Sequence, residues 1–298
     1  MGKKIGIIGL GNMGKNMAKN LLNGGYDLTV YDVRQEPIDE MVALGAKEAK
    51  NLPELGKVCD VIFCMVLNFA QVQAVTVSEN GVISGMRSGS VLIITSTIAP
   101  AEVKSVAEYS MKTGVRVIDA PVSGGVKGSS AGTMTMMVAC DDETWQECEG
   151  VLKCVGSNAT KVGNQVGIGQ VIKAANQLLV SVHIAAMAEA MVMATAAGAD
   201  PVITAEIIKK SVGNSYMFEE KIPQILGRDF VNRGALDIQI KDLNICLKTG
   251  NEFNVPLPTA AASREMYILA NGLGYGREDL CAIIKPLEQA AGIEVKPR

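Results

Sequence analysis

The sequence predicts two domains of different class, an α/β domain with a doubly wound, mostly parallel sheet and, after it, an all-α domain. Three observations carry that expectation. Residues 1 to about 163 alternate short β-rich apolar runs with helical stretches. From about Gln170 to Ala197 a single pattern without Pro, dense in Ala, Met and Leu, replaces them. The length, 298 residues, suits two domains of ordinary size. The division is placed at 1–163 and 164–298, joined by the long helix from about 170.

Taken in order, the strands are Lys4 to Gly9 (KIGIIG), Leu28 to Asp32 (LTVYD), Val61 to Met65, Val91 to Thr95 and Val115 to Asp119. Helices start between them near Met13, Pro37, Phe69 and Ala99, and Thr133 to Ala139 (TMTMMVA) extends the sheet. Gly163 and the GIG at 167–169 lead into the long helix, which at 1.5 Å per residue spans about 40 Å, enough to join two domains or two subunits. Further helices fit 201–212, 215–227, 236–252, 257–273 and 277–291, separated by Gly, Pro and Asn.

The composition narrows the partners. A net charge of −3 offers no extended positive field, so nucleic acid is not expected. Seven cysteines form an odd set without a C-x-x-C pair, and the start of the chain lacks a secretory pattern, which together point to reduced thiols in the cytoplasm. With His183 as the one imidazole, no metal site is expected. The longest apolar stretch, Leu178 to Ala188, stops at Glu189, short of the roughly 18 to 20 residues of a bilayer span, so no membrane segment is expected.

Gly9-Leu10-Gly11-Asn12-Met13-Gly14 is G-x-G-x-x-G after the first strand and at the opening of a helix, with Asp32 ending the second strand. Context gives the motif its weight. Gly9 permits the tight turn, Gly11 lets the backbone approach a pyrophosphate, Gly14 allows close packing, and the helix N-terminus offers unpaired N–H groups to phosphates. This is a Rossmann arrangement. Asp32 can accept from ribose hydroxyls and repel a 2′-phosphate, favouring NAD over NADP, while Arg34 is read as a solvated charge that could instead meet a phosphate.

Lys173 is the leading acid/base candidate. It sits in the first turns of the apolar helix, and Asn176 and Gln177 follow at i+3 and i+4, so one cation and two amides project together. Partial burial would lower its pKa from about 10.4 towards neutrality. A surface lysine is the alternative. His183 lies roughly 80° around the helix from Lys173 and reads as a core histidine. Lys241-Asp242 can be an ordinary exposed ion pair. Ser123 with the amides of Gly124 and Gly125 can hold a carboxylate, or form only a turn.

Together these pieces resemble the β-hydroxyacid dehydrogenase family. The resemblance spans almost the whole chain, in GIIGLGNMGKNMAKNL (6–21), DAPVSGGVKGSSAGTMTMMV (119–138), GIGQVIKAANQLL (167–179) and KDLNICLKTG (241–250). It implies that Lys173 is the general acid/base, that Ser123 and Gly124 contact the substrate carboxylate, and that Asn176 positions the substrate. Gln177 stands where some members carry a second Asn. Leu67, Asn68 and Thr97 look like residues of the loops that touch the cofactor, and Lys241, supported by Asp242, would face its nicotinamide end. Val180 stands where the related oxidative decarboxylases carry Glu, which disfavours decarboxylation.

The expected activity is NAD-linked interconversion of a 3-hydroxy carboxylate, such as 3-hydroxyisobutyrate, and its semialdehyde. A reductase of tartronate semialdehyde or of a sulfonated aldehyde is a second reading, and a non-catalytic dinucleotide sensor a third. The Ala- and Met-rich helix exposes more apolar surface than one small domain can cover, so a homodimer or homotetramer is expected.

Overall fold

Strands Val61–Cys64 (VIFC) and Val91–Ile94 (VLII) are buried at every residue, as continuous apolar runs must be when both faces of a parallel sheet are covered. They lie in the middle of the sheet in the computed structural model, which describes residues 2–298. In chain order the strands are β1 Lys4–Ile8, β2 Asp27–Tyr31, β3 Lys47–Glu48, β4 Val61–Cys64, β5 Val91–Ile94, β6 Arg116–Asp119, β7 Val122–Ser123, β8 Thr135–Ala139 and β9 Asn158–Gly163. Their order across the sheet is β3-β2-β1-β4-β5-β6-β8-β7, with β9 on β8. Neighbours from β3 through to β6 pair in parallel, β8 runs antiparallel to β6 and β7, and β9 is parallel to β8. The strand order reverses between β1 and β4, and a crevice at the carboxyl ends of such strands is where α/β sheets take ligands.

The helices are α1 Asn12–Asn23, α2 Gln35–Ala43, α3 Leu52–Val58, α4 Phe69–Thr76, α5 Pro100–Met111, α6 Gly125–Ala131, α7 Asp142–Val155, α8 Ile168–Ala196, α9 Pro201–Lys209, α10 Tyr216–Leu226, α11 Leu236–Glu252, α12 Pro258–Ala270 and α13 Ile284–Ala291. Local chemistry starts several of them. Asn51, Asn68, Asp141, Asp200 and Ser215 each accept a backbone N–H in the first turn of the helix that follows. In α1 the buried residues Gly14, Met17, Ala18 and Leu21 recur at helical spacing and face the sheet side.

The chain forms two compact units, Met1–Lys173 and Ala174–Arg298, so α8 begins in the first and ends in the second. In the first, alternation along the strands builds a core on each face. Ile5, Ile7, Val61, Phe63, Val91 and Ile93 point to one, and Ile8, Ile62, Cys64, Leu92 and Ile94 to the other. The second unit is helical around Ile184, Met191, Phe218, Ile222, Leu243 and the fully buried Tyr267, whose hydroxyl donates to Ser181 O at 3.3 Å.

The longer elements appear where the residue pattern placed them, with ends moved by up to three residues. The pattern did not yield β3, β7, β9, α3, α6 or α7. β3 and β7 have two residues each, and β9 (NATKVG) buries only Ala159 fully, so none carries an alternating apolar signal. The stretch expected as one helix at 277–291 divides into a tight 3-10 turn, Leu280–Ile283, and α13. His183, expected in the core, is only half-buried. α8 has about the expected length, and it is more apolar than the run at 178–188 suggested. An 18-residue window averages a hydropathy of 1.7, enough by length and composition alone to cross a membrane.

Within the second unit, the ammonium of Lys221 is 2.9 Å from Asp279, and both side chains are almost wholly buried. Asp279 also accepts from Arg233 N and Cys281 N, each at 3.2 Å, so it ties α10 to the approaches of α11 and α13. Replacing Lys221 by Met strands that carboxylate and is expected to cost about 3–5 kcal/mol. Chemical denaturation is expected to show Lys221→Met/Asp279→Asn recovering much of the loss, and equal stability of single and double variants would contradict the account.

Candidate active site

The turn from β1 into α1 is shaped by close approach. A Cβ on Gly14 would lie 1.9 Å from Gly9 O, so only glycine lets α1 start against the turn's own carbonyl. Gly9 has φ of 92°, and a Cβ there would sit 2.2 Å from Met65 O at the end of β4. Gly11 differs, because a Cβ on it would meet no atom within 4 Å. Above it the helix opens with no side-chain cap and no acidic residue in its first turn. An open, uncapped helix start, flanked by Asn12 and Met13, fits the pyrophosphate of a dinucleotide.

Asp32 follows β2, and its Oδ2 accepts from Leu10 N at 2.6 Å, so the carboxylate braces the glycine turn itself. Its Oδ1 accepts from Arg34 N at 2.9 Å, and Arg34 Nε lies 3.2 Å away. Burial opposes ionisation here, but the bonds from Leu10 and Arg34 hold the carboxyl below its usual range. Arg34 is exposed, as its reading as a solvated charge expected, and it is also the ion-pair partner of Asp32.

Further across the same sheet, the start of α8 is pinned to β6. Asp119 is fully buried, and its Oδ2 accepts from Gly167 N at 2.8 Å and Gln170 N at 3.2 Å. Its Oδ1 accepts from Gln170 Nε2 at 3.0 Å. A Cβ on Gly169 would fall 2.4 Å from Met137 O, which explains the glycine between them. Lys173 lies one turn further along α8 and is 6% exposed, so it is no surface lysine.

The loops after β4 and β5 are joined to each other. Ser96 Oγ accepts from Val66 N at 2.9 Å and donates to Cys64 O at 3.3 Å. Leu67 is 47% exposed, Asn68 caps α4 by accepting from Gln71 N, and Thr97 is half-buried. Ser123 ends β7 and is half-buried, whereas Gly124 and Gly125 are exposed with φ of 129° and 58°. α1 and α6 are tied by Asn16 Nδ2 to Ser129 Oγ (3.0 Å) and Asn20 Nδ2 to Ser129 O (2.8 Å), contacts that the motifs did not suggest.

In the second unit, Asn176, Gln177, Lys241 and Asp242 form one chain of contacts. Asn176 Nδ2 donates to Gln177 Oε1 at 3.1 Å, Gln177 Nε2 donates to Asp242 Oδ2 at 2.5 Å, and Lys241 Nζ is 3.0 Å from Asp242 Oδ1. Gln177 therefore holds Asp242, a role its spacing from Lys173 did not reveal.

Comparison with known proteins decides the affiliation. Residues 4–163 match the NAD-binding domain of 6-phosphogluconate dehydrogenase, and residues 167–287 match the NAD-binding domain of NADP-dependent 3-hydroxyisobutyrate dehydrogenase. A 2-(hydroxymethyl)glutarate dehydrogenase of Eubacterium barkeri is 38% identical over 98% of this chain and 97% of its own. The chain belongs to the β-hydroxyacid dehydrogenase family. An L-threonate dehydrogenase of Cupriavidus necator is 37% identical over 96% of each chain. A crystal structure of 3-hydroxyisobutyrate dehydrogenase from Salmonella typhimurium, 34% identical, superposes with a TM-score of 0.88 over 96% of this chain and 100% of that one. This dehydrogenase is accordingly an oxidoreductase of hydroxy acids with a nicotinamide dinucleotide as cofactor, and the turnover-free sensor falls away.

Asp119 gives the dehydrogenase a pH signature. Burial outweighs the N–H donors around it and pushes its carboxyl from 3.8 up to about 6. Between those values the folded chain holds a proton that the unfolded chain has lost, so this group's contribution falls as pH rises through that window and is flat above it. The unfolding free energy of wild type minus that of Asp119→Asn is expected to decline by on the order of 3 kcal/mol across the window. A difference independent of pH would show the carboxyl to be unperturbed.

Proposed function

We propose that this dehydrogenase interconverts a 3-hydroxy carboxylate and its semialdehyde, with NAD as the preferred cofactor and Lys173 as acid/base. The observation that carries the reading is the burial of Lys173 one helical turn beyond a helix start anchored on the sheet. The amides at Gly9 to Gly14, with Asn12 and Met13, are assigned to the pyrophosphate and Asp32 to the ribose hydroxyls. Leu67, Asn68 and Thr97 line the cofactor, and Lys241, ion-paired to Asp242, serves as the cofactor-side cation.

When bound, the nicotinamide supplies the acceptor for the hydride leaving the hydroxyl-bearing carbon. Lys173 Nζ takes the hydroxyl proton in oxidation and returns it to the carbonyl oxygen in reduction. Ser123 and the backbone of Gly124 and Gly125 hold the carboxylate, which fixes the distance from that anchor to the oxidised carbon. Asn176 orients the hydroxyl, and Gln177 keeps Asn176 and Asp242 in place. Asp32 remains anionic in the fold, and a fixed negative charge there disfavours a 2′-phosphate.

Residues 1–163 form the dinucleotide domain in this reading and 164–298 the substrate and dimerisation domain, in a cytoplasmic homo-oligomer. The exposed Leu179 and Met193 of α8, with Ile203 and Ile207 of α9, are the apolar surface offered for assembly. Light scattering at micromolar concentration is expected to give a dimer or tetramer, and a monomer would remove that part of the reading.

The enzymatic test is Lys173→Ala, assayed spectrophotometrically against 3-hydroxyisobutyrate, tartronate semialdehyde, 2-(hydroxymethyl)glutarate and L-threonate with NAD and NADP. Loss of a general acid/base is expected to lower kcat by about 10²–10⁴-fold, while titration by fluorescence shows NADH still bound. Near wild-type turnover in the variant would overturn the assignment of Lys173.

A further inference from the structure

Gln170 is 1% exposed and uses its side-chain amide fully. Nε2 donates to Ser96 O at 3.1 Å and to Asp119 Oδ1 at 3.0 Å, while Oε1 accepts from Ile98 N at 3.1 Å. The amide thus pairs with the backbone on both sides of Thr97, as a neighbouring strand would. Ser96 passes the connection on to Val66 N and Cys64 O, at the end of β4. The ends of β4, β5 and β6 and the first turn of α8 therefore share one hydrogen-bonded chain, and Lys173 stands at i+3 from Gln170, on the same helical face.

We propose that Gln170 is a positioning residue that fixes Lys173 and the Thr97 loop in one arrangement, so that proton exchange and cofactor contact are placed by a single side chain. The inference rests on the assignment of Lys173 as acid/base. Residue chemistry explains why glutamine is needed. A planar amide brings two N–H donors and an acceptor together, glutamate would set a second carboxylate against Asp119, and methionine would fill the space but leave Ser96 O and Ile98 N unpaired. Asparagine is one methylene shorter and cannot span the same partners from the same helix position.

The test is a cycle of Gln170→Met, Lys173→Met and the double variant, read as kcat, substrate KM and the Kd for NADH by fluorescence. Displacing a reacting group by about 1 Å costs on the order of 100-fold, and Gln170→Met is expected to lower kcat by that much with KM little changed. NADH is expected to bind several-fold more weakly as the Thr97 loop loosens. In the Lys173→Met background, a further loss no greater than about twofold is expected, because the effect passes through the lysine.

A folded Gln170→Met enzyme with wild-type kcat, or one whose full loss persists on top of Lys173→Met, overturns the proposal while leaving the lysine's role intact. Wild-type turnover in Lys173→Met alone instead removes the acid/base reading, and the Kd for NADH then still decides whether Gln170 holds the Thr97 loop. Should Gln170→Met fail to fold, Asp119→Asn replaces it, with about a tenfold loss of kcat expected to vanish in the Lys173→Met background. An unchanged kcat in Asp119→Asn also overturns the proposal.

Discussion

A 29-residue helix that starts against the carboxyl edge of a sheet brings unpaired backbone N–H groups into a buried place, and the fold depends on how they are satisfied. Asp119 is the answer. It takes Gly167 N and Gln170 N on one oxygen and the Gln170 side chain on the other, with no exposure to solvent. Much of the surrounding sequence follows from that contact. Gly169 must lack a side chain to let the turn reach Met137 and Asp119, and Gln170 must carry an amide because a carboxylate already faces it. Lys173, one turn on, inherits its position from this anchorage.

How much of this was legible depends on how far each contact reaches along the chain. The buried strands and the G-x-G-x-x-G turn are local patterns, and residues 4–9, 28–32, 61–65 and 91–95 announce themselves by apolar runs bounded by turn formers. The long helix is equally plain from its unbroken Ala, Met and Leu texture. β9 was not legible, because Asn158, Thr160 and Lys161 give no alternation and its place is set by pairing with β8. Neither was the short α6, since Gly125-Val126-Lys127-Gly128 has the composition of a loop.

Side-chain roles divide in the same way. The motif spacing brought out Lys173, Ser123 and Asp32 as candidates, since each sits beside a recognisable backbone signal. For Gln170 the one local clue is its place as a polar residue at the mouth of an apolar helix, three places before the lysine. Its partners Ser96, Ile98 and Asp119 lie 51 to 74 residues away in sequence, and only folding joins them. Gln177 likewise makes a bond that its spacing from Lys173 could not show, to Asp242, 65 residues further on.

The two aspartates at strand ends reveal one structural device used twice with opposite electrostatic results. Asp32, after β2, receives Leu10 N from the glycine turn that opens α1, and Asp119, at the end of β6, receives Gly167 N from the glycine turn that opens α8. In both cases a carboxylate holds the turn so that a helix can begin at a fixed place on the sheet. Asp32 has Arg34 beside it and is not wholly cut off from water, so its charge is favoured. Asp119 has no cation among its hydrogen-bond partners and no water, and its acceptor sites are turned inward to Gly167 and Gln170. Its proton is retained to about 6, and its bonds hold the start of α8. The same residue type in the same topological position can thus stay charged or hold its proton, and the difference lies in whether a cation and solvent reach it.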